Sequence, residues 1–104
     1  MSAPPFRLLY TREAERVLDD LRAKKQYEAK LKKVREALRL LQDAGPRHPG
    51  LHSHDYQSVP GPGGATLWES YVENKTPSAW RTWWIYGPDD AQITIVTIGP
   101  HPSC

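Results

Sequence analysis

Apolar residues recur along this chain in two rhythms. Ala14, Val17, Leu18 and Leu21 fall at i, i+3, i+4 and i+7, one face of a helix. Tyr27, Leu31, Val34, Leu38 and Leu41 repeat that spacing and predict a second helix over 27–42. Beyond residue 65 the rhythm shortens. Residues 66–73, 80–86 and 92–98 are rich in Trp, Tyr, Ile, Val and Thr and predict three strands. A fourth, Phe6–Tyr10, precedes the first helix. Thr11 can cap that helix, with Glu13 and Glu15 in the first turn, where the macrodipole favours negative charge. Lys24, Lys25 and Gln26 break or bend the helical stretch, and Gly45-Pro46 ends it.

The segments 74–78 and 87–90 are short turns, so the late strands pair antiparallel. Ile93-Thr-Ile-Val-Thr-Ile98 is apolar on both faces and predicts an inner strand. Residues 45–64 carry four prolines and five glycines and predict a loop, with His48, His52 and His54 in it. The order is β-α-α-β-β-β. This is an α+β domain over residues 1–104, with a helical hairpin on one face of a small, mostly antiparallel sheet.

Composition narrows the class. A chain of 104 residues with 38% hydrophobic and 25% charged content suits one soluble domain. No apolar run reaches the ~20 residues of a membrane span. Residues 1–5 lack a secretory pattern, and the single cysteine, Cys104, has no internal partner. The expected compartment is the cytoplasm. Charge is divided along the chain: residues 1–50 carry 12 Lys/Arg and 7 Asp/Glu, residues 51–104 carry 2 and 5. Eight of the basic residues fall within 22–39. This block is either a polyanion-binding or partner-binding surface or simply a solvated helix face.

The order of elements resembles the RelE/ParE superfamily of type II toxins over nearly the whole chain. The residues that carry the resemblance are Leu67-Trp-Glu-Ser-Tyr-Val72, Trp80-Arg-Thr-Trp-Trp-Ile-Tyr86 and Ile93-Thr-Ile-Val-Thr-Ile-Gly-Pro-His101, with the opening Tyr10-Thr11-x-x-Ala14. The resemblance implies a toxin that inhibits translation by cutting mRNA on the ribosome without metal or cofactor. It also implies a cognate antitoxin, a homodimer or toxin–antitoxin hetero-oligomer, and no membrane. The ParE branch offers an alternative, a non-nuclease toxin that binds DNA gyrase; a degenerate, binding-only member is another.

RNA cleavage by the 2′-hydroxyl needs a base, an acid for the leaving 5′-oxygen, and positive charge at the phosphorane. The resemblance assigns Arg81 to the phosphate and His101, after the last strand, to the acid. The usual histidine–tyrosine ending of the family is His101-Pro102 here. The bland alternatives are an ion pair of Arg81 with Glu69 or Glu73, and a terminal histidine without function. Glu69 is a candidate base or a solvent-facing strand residue. His52 and His54, with Asp55 beside them, are RNA or base contacts or ordinary loop residues. They form no diagnostic metal spacing. Lys30 and Lys33 lie off the apolar stripe of the second helix and are candidate RNA contacts. Trp83 and Tyr86 are candidate stacking surfaces, and strand alternation sends Trp83 and Trp84 to opposite faces. Tyr56 and Lys75 have weaker claims to RNA contact.

Overall fold

Thr11 turns the chain from strand into helix: its backbone N–H bonds Ile95 O and its hydroxyl oxygen accepts the Ala14 N–H at 3.1 Å. The structure, a computed structural model, describes residues 5–76 and 78–101. Strand β1 (Arg7–Tyr10) is followed by α1 (Arg12–Ala23), the 3-10 turn Lys25–Tyr27, and α2 (Glu28–Asp43). Short 3-10 turns at Pro49–Leu51 and Pro62–Gly64 flank β2 (His54–Asp55). Then come β3 (Trp68–Tyr71), β4 (Trp80–Tyr86) and β5 (Gln92–Pro100). The five strands form one sheet in the order β1-β5-β4-β3-β2. β1 pairs parallel to β5, which requires the intervening helices as a crossover, and every other pair is antiparallel.

The helices cover one face. Ala14, Leu18 and Leu21 of α1 and Leu31, Val34, Leu38 and Leu41 of α2 bury their apolar stripes against Trp84, Ile93, Ile95 and Ile98. Val34, Leu41, Trp84, Ile93 and Ile95 are sealed from solvent. Burying a side chain of this size contributes ~1.5–3 kcal/mol. α2 ends at Gly45, whose φ of +91° suits glycine and whose N–H bonds Leu40 O. The ring of Phe6 lies 3.2 Å from where a Cβ at Gly45 would sit.

The predicted α+β order is present, and β4 runs over the predicted residues. The structure adds the two-residue β2, inside a stretch predicted as loop. Tyr27, predicted on the buried stripe, is exposed. The 3-10 turn that ends on it rotates it off the α2 face. In β5, Trp83 pairs with Thr97 and Trp84 with Ile95, so Val96 is a bulged residue without a partner on β4. Pro102 and Cys104 lie outside the described residues. Among the described residues no helix is long and apolar enough to cross a membrane.

Candidate active site

The sheet face opposite the helices gathers the polar and aromatic residues. Strand alternation puts Glu69 and Tyr71 of β3, Arg81 and Trp83 of β4, and Gly99 of β5 on this face. β2 lays His54 against Glu69. Beyond β5, the His101 N–H bonds Ala79 O at 2.9 Å and continues the ladder. A polar chain through the sheet fixes the β2 segment. Trp84 Nε1 donates to Ser70 Oγ at 2.8 Å, and Ser70 Oγ shares a hydrogen bond with Ser53 Oγ at 2.7 Å.

Glu69 is the hub. Its carboxylate is 2% exposed, and it faces three potential cations. His54 Nε2 is 2.9 Å from Oε1, His101 Nε2 is 3.5 Å from Oε2, and Arg81 Nε is 3.9 Å from Oε1. The two imidazoles keep 46% and 42% of their side chains exposed. A sealed carboxylate therefore sits beneath two accessible rings. His54 Nδ1 is 2.8 Å from the His52 carbonyl oxygen, so both nitrogens of this ring face acceptors. Both contacts are hydrogen bonds only when both ring nitrogens carry protons, or when Glu69 itself does.

Arg81 is held flat. Its guanidinium carbon lies 3.7 Å from the Tyr71 ring centroid. Nη1 donates to the backbone carbonyls of Glu73 and Trp80. Glu69 Oε2 and Arg81 Nε are buried and take part in no hydrogen bond among the described residues. The His52 ring packs on Tyr71 at 4.7 Å, and the His54 ring meets it edge-on at 6.3 Å. Tyr56 meets Trp83 and His101 edge-on at 5.9 and 6.4 Å.

Arg81, His101, Glu69, His52 and His54 are therefore brought together. Other candidates lie elsewhere. Lys30 Nζ is 2.6 Å from Glu73 Oε1 and Lys33 Nζ is 3.5 Å from Oε2, so both ammonium groups tie α2 to the end of β3. Glu73 Oε1 also accepts the Trp80 N–H at 3.1 Å. Burial alone would raise the Glu73 pKa. The Lys30 and Trp80 hydrogen bonds and the charges of Lys30 and Lys33 outweigh it and hold Glu73 below the usual value. Trp83 faces the side away from the helices but is only 6% exposed, so it offers no open stacking surface. Tyr86 is exposed but packs on Trp84, Trp68 and Phe6, on the helix side of the sheet. Glu69, weighed as a solvent-facing residue, is buried instead. Sequence reasoning did not single out Tyr71, although alternation from Glu69 places it opposite Arg81. Among the described residues no three His, Cys, Asp or Glu side chains are grouped to hold a metal ion.

This fold, a helical hairpin crossing over to a five-stranded sheet, is shared with solved structures of YoeB, RelE and YafQ. Solved structures carry the likeness: the YoeB dimer from Staphylococcus aureus superposes with a TM-score of 0.66 at 14% identity, over 94% of this chain and 99% of that one. RelE in the RelE–RelB complex from Pyrococcus horikoshii gives 0.64 at 15% identity over 96% and 99%. YafQ from Escherichia coli gives 0.58 at 17% identity over 92% and 93%. No protein-family model and no curated protein sequence matches the chain.

Proposed function

We propose that this protein is the toxin of a bacterial type II toxin–antitoxin pair and acts as a metal-independent, ribosome-dependent endoribonuclease. One observation carries the reading: Arg81, Glu69, His54 and His101 converge on the sheet face that the helices leave open. These groups supply what 2′-hydroxyl attack requires. The Glu69–His54 pair takes the hydroxyl proton. His101 protonates the departing 5′-oxygen, and Glu69, between the two rings, relays charge from one to the other. Arg81, buried just beneath this face, stabilises the phosphorane with its permanent positive charge. The exposed ring of His52 and the half-buried ring of Tyr56 border the same face, where single-stranded RNA can lie. The likeness to a YoeB dimer and to RelE bound to RelB supports an antitoxin partner, and a dimer or hetero-oligomer, for this chain.

The test is growth arrest on induced expression, with mapping of breaks in ribosome-bound mRNA. The wild type should arrest growth and cut within codons. Arg81→Ala and His101→Ala, shown to fold by circular dichroism, should do neither. Undiminished arrest by both variants, with a DNA-damage response and intact mRNA, would instead support a gyrase-binding toxin and end the nuclease reading.

A further inference from the structure

Arg81 and Glu69 present an anomaly. Both are buried, with opposite charges, and they stand 3.9 Å apart; Arg81 Nε makes no hydrogen bond among the described residues, and Glu69 Oε2 meets only His101, at 3.5 Å. That separation is too long for the hydrogen-bonded ion pair that two such groups form when free to meet. Closure would satisfy Arg81 Nε and lower the energy of two buried charges at once. Something holds the pair open.

The restraint on the guanidinium is Tyr71. Its ring lies 3.7 Å beneath the guanidinium carbon, and Tyr71 is the register partner of Arg81 across β3 and β4. The Glu73 and Trp80 carbonyls fix one edge of the fork through Nη1. Ring and carbonyls together set the plane and the pivot of the guanidinium. The His52 ring, 4.7 Å from Tyr71, braces the phenol.

We propose that Tyr71 is a positioning residue that holds the Arg81 guanidinium away from Glu69, keeping its charge uncompensated beneath the open face and the carboxylate available to the imidazoles. Without the ring, Arg81 swings onto Glu69. The closed pair neutralises the charge meant for phosphate and withdraws Glu69 from His54. The inference rests on the nuclease reading for its kinetic arm only; the geometry of Arg81 can be measured without any activity.

The experiment compares wild type with Tyr71→Phe, Tyr71→Leu and Tyr71→Met, the last retaining volume without an aromatic face. Nitrogen-15 NMR reads the arginine Nε–H resonances, with Arg81 assigned by Arg81→Lys. In Tyr71→Leu and Tyr71→Met the Arg81 Nε–H should move downfield, as expected of a new charge-assisted hydrogen bond. Adding Glu69→Gln should return it toward the wild-type position. Tyr71→Phe should leave it in place. In single-turnover cleavage of ribosome-bound mRNA, Tyr71→Phe should keep the wild-type rate, and the aliphatic variants should lose about 100-fold. A Nε–H resonance unmoved in folded Tyr71→Leu and Tyr71→Met overturns the proposal. A resonance that moves in a protein whose wild type cuts no RNA upholds the positioning role and defeats the nuclease reading instead.

Discussion

Replacing Glu73 with alanine should destabilise the fold by an amount that the structure allows to be estimated. The carboxylate accepts the Trp80 N–H at 3.1 Å and meets Lys30 at 2.6 Å and Lys33 at 3.5 Å. A hydrogen bond to a charged group is worth ~1.5–3 kcal/mol. Lys33 is 56% exposed and adds little, while Lys30, at 28%, reaches water once its partner is gone. The net loss for Glu73→Ala is therefore ~2–3 kcal/mol, and for Lys33→Ala under ~0.5 kcal/mol. In a domain of this size the larger loss lowers Tm by roughly 10–20 °C. The pH dependence follows in sign. Because Glu73 titrates below its ordinary value of 4.5 when folded, its contribution is present at neutral pH and fades as pH falls below that value. Urea unfolding followed by tryptophan fluorescence, at pH 7 and stepwise down to pH 3, measures both effects. Glu73→Gln should lose this component of the acid sensitivity. A wild-type midpoint for Glu73→Ala at pH 7, or an unchanged acid slope in Glu73→Gln, would refute the reasoning.

Ser70→Ala should cost ~1–3 kcal/mol in urea unfolding, because it strands the buried Trp84 N–H without an acceptor and releases Ser53. Thr11→Ala should cost ~0.5–2 kcal/mol through the lost N-cap, and the hydroxyl's 2.6 Å bond to Val96 O places it at the upper end. Lys25, Lys32, Arg35 and Arg39 line a groove of about 710 Å³ along α2. If they contact ribosomal phosphates, affinity should fall steeply with salt. The triple variant Lys32→Ala/Arg35→Ala/Arg39→Ala should then flatten the log–log slope by ~2, read by sedimentation with ribosomes; an unchanged slope removes these residues from the interface. Lys30→Ala should change unfolding more than that slope, since its ammonium is already bound to Glu73.

Local signals made the scaffold legible. Thr11 and Gly45 mark helix ends by capping chemistry, and the aromatic and β-branched run at 80–86 admits little but a strand. Arg81 and Glu69 were expected on neighbouring strands, and the β3–β4 register sets them on one face. What escaped lay in long-range pairing. β2 is two residues in a loop rich in proline and glycine, and pairing with β3 alone makes it a strand. Lys30 and Lys33 resembled free basic residues because their acidic partner lies 43 and 40 positions away. Trp83 and Tyr86 were candidates for stacking because aromatic content does not report what covers a ring. Tyr56 caps one, and the other side chain belongs to the opposite layer.

The odd residue at Val96 is an extra position that the downstream pairing does not use. Ile93, Ile95 and Ile98 all reach the oily layer only because one position between them is skipped. The same skip turns the imidazole three residues after Ile98 outward. Excising Val96 would restore unbroken alternation, with Ile95 opposite Trp84 and Thr97 opposite Trp83, so Ile98 would stay inward and His101 outward. Loss of one residue here should therefore spare the open side of the sheet, whereas an added residue that pairs with β4 should turn His101 under the helices.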